Sequence, residues 1–425
     1  MVSSTRFRCL ASPSAHSPCG RAVQSIGGGG INLLIELIVS DLIPLRERGA
    51  YMGIVFGVFS LGTAVGPLVG GAIVDGTTWR WVFYINLPVS GVALVLHLLF
   101  LRVNYDRETS ILGRLKKIDY VGNAILIAIP LFLGILGLGL FHLYEGVPWV
   151  KDYPTLLDQV FKRRTPAAAL VIAFINFICL FWVIYFLPIY FQAVLGMSPT
   201  ISGVALFPTV LLSVVTGAIA GIILTKVGRY RPFHIVAFVL IALGFGLFSR
   251  FNQSTSTAEW VVVQIIPAVG LGIMMSTNLP AVQADLPESD TAAATTAFAF
   301  MRAYGSIWGV SIPAAIFNAK FATESWRIDD TQIETQLSGG NAYSYANADF
   351  IRSFPEPQRD RVIDIYARSL QLIWQVSLGF ALLGFLLCFV EKEIALRTNL
   401  ETEFGLEREK KVNDAFIVRS GLEGP

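Results

Sequence analysis

About ten stretches of this chain are each some 20 residues long and almost wholly apolar, and that pattern leaves few folds open. They lie near 22–43, 51–74, 81–101, 120–143, 166–191, 201–224, 233–250, 260–281, 293–318 and 370–390. A helix of about 20 such residues spans the hydrocarbon core of a bilayer. Within hydrocarbon each backbone polar group must be satisfied inside its own segment, as an α-helix does. Of the 425 residues, 54% are hydrophobic and 15% charged. Soluble domains carry about 25% charged residues, so no water-soluble core accommodates this composition. The expected fold class is all-α membrane, with about ten spanning helices and a multi-pass integral location in the lipid bilayer.

The same features exclude other classes. Net charge is +2 and the one basic tract is Lys162-Arg163-Arg164, so no nucleic-acid partner is expected. The cysteines are Cys9, Cys19, Cys179 and Cys388, with no CxxC pair and no metal spacing. His97, His142 and His234 stand apart from one another and from any HExxH pattern, so neither a metal nor a cofactor is expected. No GxSxG nucleophile motif occurs. A membrane-embedded enzyme would need a His or Ser cluster near a membrane face, and a channel would need a repeated pore motif. The sequence offers neither, so no enzymatic activity is expected. Residues 1–19 have no apolar periodicity and read as a disordered leader.

Orientation follows from Lys and Arg in the short loops. Loops 43–50, 102–119, 144–165 and 225–232 carry most of them and belong on the cytoplasmic side, as does the mixed-charge tail 391–425. Loops 192–200 and 251–259 carry none; the second holds the sequon Asn252-Gln253-Ser254, so Asn252 is a candidate glycosylation site on the outer side. Loops 102–119 and 144–165 both require the cytoplasm, yet only the 24 apolar residues 120–143 separate them. Two crossings need about 40. A re-entrant hairpin at Pro130, a crossing against the charge rule, or a lost stretch would each resolve this.

Several residues stand out inside the apolar spans. Arg21, Gln24, Gly28, Asn32 and Glu36 fall on one stripe of the first helix. Ionisable groups at membrane depth are costly and mark cavities and ion paths; the plain alternative puts Arg21 and Glu36 at the two interfaces. In the second helix, Gly62, Gly66 and Gly70 make overlapping GxxxG steps, with Pro67 and Gly71 beside them. Such a groove admits a close helix neighbour and Pro67 bends it. Arg302 lies deep in span 293–318, where an arginine seeks a cavity or an acid on another helix. A structural pair and a transport role both fit it. Asn176 and Gln192, with Tyr185 and Tyr190, flank another span; for the tyrosines an aromatic core or interface belt is the simpler reading.

These motifs resemble the major facilitator superfamily. Leu61–Gly71 looks like its antiporter signature, and Arg21-Ala22-Val23-Gln24 with Gly27–Gly30 resembles its fourth-helix motif. Trp79–Pro88 resembles the segment that follows in the fourteen-span drug:proton antiporter branch, which includes fungal multidrug and toxin efflux pumps. Lys226, Gly228, Arg229 and Arg231 resemble the cytoplasmic loop motif of the second half, although an acid frequent in the fuller motif is missing here.

The resemblance implies a two-bundle transporter with an incomplete first bundle: three helices fewer at the front, and two fused at 120–143. It divides the chain into leader 1–19, remainder of the N-terminal bundle and linker helices 20–143, cytoplasmic loop 144–165, C-terminal bundle 166–318, extracellular loop 319–369, last span 370–390 and cytoplasmic tail 391–425. It implies proton-driven export of small amphipathic molecules (drugs, toxins or secondary metabolites), from the plasma membrane or a vacuolar or other internal one. Arg21, Gln24, Asn32, Glu36 and Arg302 are then the transport and proton-coupling candidates, with an inactive truncated fragment as the alternative.

Overall fold

The computed structural model describes residues 17–76, 80–100 and 158–398 apart from 339 and 344; within the first helices the side chains of 17–26, 67, 70 and 71 are among those outside the description. The segments 102–119, 120–143 and 144–157, with their charges and Pro130, therefore lie outside the described residues.

Helix α1 runs over Ser17–Leu42 and α2 over Leu45–Gly76. A short α3, Trp81–Tyr84, leads into α4, Asn86–Phe100. The second half follows with α5 Asp158–Lys162, α6 Arg164–Ile189, α7 Pro199–Ala205, α8 Phe207–Val227, α9 Arg231–Phe248 and α10 Thr257–Gln283. It closes with α11 Thr291–Glu324, α12 Thr331–Leu337, α13 Ala348–Arg352 and α14 Gln358–Leu387. Among the described residues there is no strand. Among the described residues five stretches are long and apolar enough to cross a membrane: Arg164–Val194, Pro199–Val227, Arg231–Phe248, Thr257–Gln283 and Gln358–Leu387.

Three boundaries differ from the sequence reading. The leader does not extend to 19, because Ser17–Cys19 already belong to α1. Pro18 suits a first turn, where its missing donor would have no partner anyway. Span 201–224 is two helices: Leu206 ends α7, and Pro208 in the first turn of α8 cannot donate back across the join. The stretch 319–369 is not a bare loop. Ile328, Ile333, Leu337, Ile351 and Phe354 are buried in the same cluster as the spanning helices, forming a small helical cap. The hydroxyl of Tyr366 donates to the Ala342 carbonyl at 2.6 Å and ties the cap to α14. Around it Arg327 pairs with Asp364 at 2.7 Å and Lys320 with Glu324 at 2.6 Å.

The second half holds the main core. Trp182 of α6 meets Phe380 of α14 edge-on at 5.3 Å, and Trp374 lies 5.0 Å from Phe248 of α9. Aromatic pairs in these geometries add attraction beyond their buried area. Among the described residues the first half meets the second chiefly along α2, which lies along α8 and α10 and also touches α7, and α1 reaches α11. Farther along α2, Val58, Phe59 and Val69 are exposed, as are Val92, Leu94, Leu98 and Leu99 on α4. Apolar side chains facing outward are what a helix presents to lipid.

Candidate transport site

The seam between the halves is built on glycine. Along α2, Gly49, Gly53 and Gly57 recur every four residues and share one face, opposite Gly217 and Gly221 of α8. A Cβ at Gly53 would stand 3.0 Å from the Gly217 carbonyl oxygen and 3.1 Å from the Cα of Ala218. A Cβ at Gly221 would overlap the Gly49 carbonyl. Backbones in van der Waals contact gain dispersion over their whole length, the main attraction left between helices in lipid. The hydroxyl of Ser276 on α10 crosses to the Gly217 carbonyl at 2.6 Å. At Gly62 and Gly66 of the expected groove, nothing among the described residues lies within 4 Å of a Cβ. The close contact among the described residues comes from the earlier glycines of the same helix. Pro67, Gly70 and Gly71 lie on α2 with side-chain surroundings outside the description.

Two buried charge clusters cross the seam. Glu36 of α1, 2% exposed, forms an ion pair with Arg302 of α11. One carboxylate oxygen takes the guanidinium, and the other has no hydrogen-bond partner among the described residues. The Arg302 guanidinium carbon lies 5.7 Å from the ring centres of Phe56 and Phe177 and 5.9 Å from that of Phe298. An arginine held against three rings gains cation–π attraction as well as the charge pair.

The second cluster centres on Arg48, fully buried in the first turn of α2. It donates to Gln283 Oε1 at 2.8 Å, Glu288 Oε1 at 2.6 Å and the Ile43 carbonyl at 2.8 Å. Gln283 passes the chain on, from its Nε2 to Ser40 Oγ at 3.1 Å and Thr295 Oγ1 at 2.8 Å. Every member of this polar network has a partner, which is what makes a buried network tolerable.

Of the transport candidates, the structure brings Glu36 and Arg302 together. Asn32, one turn before Glu36, is exposed. Arg21 and Gln24 lie on α1, with side chains outside the described residues. The loop motif meets the first half: Arg46 donates to the Thr225 carbonyl at 2.6 Å and the Lys226 carbonyl at 2.7 Å. Gly228 ends α8 at φ 69°, a left-handed conformation that favours glycine. Arg229 approaches Glu393 at 3.8 Å, and Arg231 donates to the Cys388 carbonyl at 3.1 Å. Asn252 is exposed at the end of the second half remote from Arg46, and its Oδ1 accepts from the Ser254 hydroxyl at 2.7 Å. Tyr185 and Tyr190 stack in aromatic pairs with Phe181 and Phe251. Asn176 is buried, without a hydrogen-bond partner in the described structure.

Sequence reasoning missed Arg48, Gln283 and Glu288. It read Arg48 as a loop charge, because the acid that pairs with it stands 240 residues away. The Gly49-x3-Gly53-x3-Gly57 spacing was a visible signal for the seam.

Membrane proteins keep buried ionisable pairs between helix sets chiefly where solutes or ions pass, so the helical fold and this seam together define a multi-pass membrane transporter. Comparison with known proteins gives the family. The family model described as Major Facilitator Superfamily matches residues 13–310, and the chain belongs to that superfamily. It is 46% identical over 415 residues to an MFS-type efflux transporter, ffsH, of Aspergillus flavipes, covering 92% of this chain and 73% of that protein. It is 44% identical over 431 residues to the MFS efflux transporter aclA of Aspergillus oryzae, covering 96% and 78%. It is 45% identical over 433 residues to the acurin A biosynthesis cluster MFS-type transporter of Aspergillus aculeatus, covering 95% and 78%. This chain is thus an integral membrane protein with a transporter role.

Proposed function

We propose that the protein exports small amphipathic molecules, of the drug, toxin or secondary-metabolite kind, in exchange for protons, across the plasma membrane. The observation that carries this reading is the Glu36–Arg302 pair, because it joins the two halves and its carboxylate has one oxygen without a partner among the described residues. A proton arriving at that oxygen leaves a neutral carboxylic acid. Arg302 then loses its counter-charge, and the contact between α1 and α11 weakens. Opening of the seam toward the cytoplasm and release of the proton are thereby linked, as alternating access around a site between the halves requires. The names of the relatives, two of them efflux transporters and one from a biosynthesis cluster, support outward movement of a secondary metabolite.

The test is uptake of a fluorescent amphipathic cation or neutral dye into inside-out vesicles under an imposed proton gradient. Glu36→Gln is expected to abolish gradient-driven uptake while the protein remains folded. Gradient-driven uptake at the parent rate in Glu36→Gln would overturn the assignment.

A further inference from the structure

The segment that follows the last helix is tied down at more points than a tail leaving the membrane needs. Two buried side chains anchor its start: His234 Nδ1 on α9 and Glu391 Oε2 lie 2.8 Å apart, and both residues are almost fully buried. Around this anchor, Thr165 of α6 accepts from the Lys392 amide at 3.2 Å, and the Tyr230 hydroxyl donates to the Lys392 carbonyl. All of these partners belong to the second half.

Five residues farther on, the segment reaches the first half. The amide of Arg46, at the start of α2, donates to the Arg397 carbonyl at 3.0 Å. Leu396 is 4% exposed and packs in a cluster that contains Leu45, Met52 and Phe56 of the first half with Leu224 and Tyr230 of the second. The Arg397 guanidinium donates to the Leu286 carbonyl at 2.6 Å and lies 3.6 Å from Glu288, the acid that binds Arg48. Leu286 and Glu288 belong to the second half, as does the Gly228 carbonyl that accepts from the Leu396 amide at 3.1 Å, so the segment lies on the second half and reaches across the closed seam through the Arg397 carbonyl and the Leu396 side chain.

We propose that residues 391–398 are a strap, hinged on the second half at Glu391–His234 and latched to the first half through the Arg397 carbonyl and the Leu396 side chain, that holds the cytoplasmic side of the transporter shut. To expose that side, α2 must part from α8, and every such movement breaks the Arg46–Arg397 bond and divides the apolar cluster that Leu396 shares with Leu45, Met52 and Phe56. The anchor crosses no moving boundary, so the strap stays with the second half and can latch again. This inference extends the proposed function but does not need its substrate or its coupling ion.

The test measures the seam directly. Ser40 is fully buried between Gln283 and Thr295, so Ser40→Cys is protected while the seam is closed. Its labelling by a membrane-impermeant maleimide is followed in inside-out vesicles of the full chain, as the increment over the same chain with Ser40 intact. Leu396→Ala and, separately, Leu396→Asp, which remove the side chain that packs with Leu45, Met52 and Phe56 of the first half, are each expected to speed labelling about fivefold or more, the factor that roughly 1 kcal/mol of lost packing commands. Arg48→Ala, which breaks the seam itself, sets the rate for an opened cytoplasmic side. Unchanged labelling in both strap variants, with acceleration in Arg48→Ala, overturns the proposal. Size-exclusion profiles matching the parent confirm that each variant is folded. No transport is read, so failure of the strap and failure of proton-coupled export are separable.

Discussion

Gly221→Ala should open the seam, whereas Gly66→Ala should not. The Cβ added at Gly221 would overlap the Gly49 carbonyl and stand 2.7 Å from the Cα of Ala50. Carbon atoms rest at about 3.5–4.0 Å, so α2 and α8 must part by roughly 1 Å. Both obstacles are backbone, and no rotamer change relieves them. Overpacking of this kind costs about 1–3 kcal/mol, and removing a helical glycine returns about 0.5–1 kcal/mol. The propensity gain is shared by the closed and open seams and bears only on the thermal midpoint, so the balance between closed and open shifts by the full ~1–3 kcal/mol, a factor of roughly 5–150. At Gly66 nothing described lies within 4 Å. There only the helix-propensity gain remains, about 0.5–1 kcal/mol in favour of the folded state. The assay is labelling of Ser40→Cys in each background, together with the midpoint of thermal loss of the monodisperse peak in detergent. Equal labelling rates and equal midpoints for the two variants would refute the assignment of the close approach to Gly49–Gly221.

Three further outcomes follow from the seam and the cap. Glu36→Ala leaves Arg302 buried against rings without its acid and should cost about 3–5 kcal/mol; Glu36→Ala with Arg302→Leu should cost less than Glu36→Ala alone, as a double-mutant cycle of thermal midpoints would show. Arg46→Cys with Lys226→Cys should form an oxidant-induced cross-link, because Arg46 bridges to the Lys226 carbonyl; absence of the cross-linked band would separate two loops that the charge rule puts on one face. In the cap, burial works to raise the Glu324 carboxyl, but hydrogen bonds from Lys320 and Arg327 outweigh it and hold it below the ordinary value of 4.5. A carboxyl depressed on folding stabilises above its unfolded pKa and loses that stabilisation as pH falls through its folded one. The thermal midpoint should therefore fall on acidification below about pH 4.3, and Glu324→Gln should be less stable at neutral pH and flatter across that range.

Much of the fold was legible because hydropathy is a local property. The spans around 166–191, 233–250 and 260–281 reappear as α6, α9 and α10, since any helix surrounded by lipid or by other helices must be apolar along its own length. Arg302 and Glu36 were conspicuous for the same reason: each is a charge where charge is costly. That they meet each other was not legible, because 266 residues separate them and nothing local records which acid faces which arginine. His234 looked isolated because its partner, Glu391, stands 157 residues on, in a segment that composition alone describes as a charged tail. The cap was hidden in the same way. Its Ile328, Ile333, Leu337 and Ile351 are spaced too widely to register as an apolar run, yet all are buried.

The sequence by itself thus determined the solvent, the helical class and the costly residues that a transporter keeps in the membrane. Only the tertiary structure decided which glycines make the seam. Gly49, Gly53 and Gly57 have the same four-residue spacing as Gly62, Gly66 and Gly70 on the same helix, so the pattern permits either set. What distinguishes them is the neighbour: Gly217 and Gly221 of α8 stand opposite Gly49 and Gly53, and nothing described stands opposite Gly62 and Gly66. Close approach is a property of two surfaces, and a single chain segment encodes only one of them.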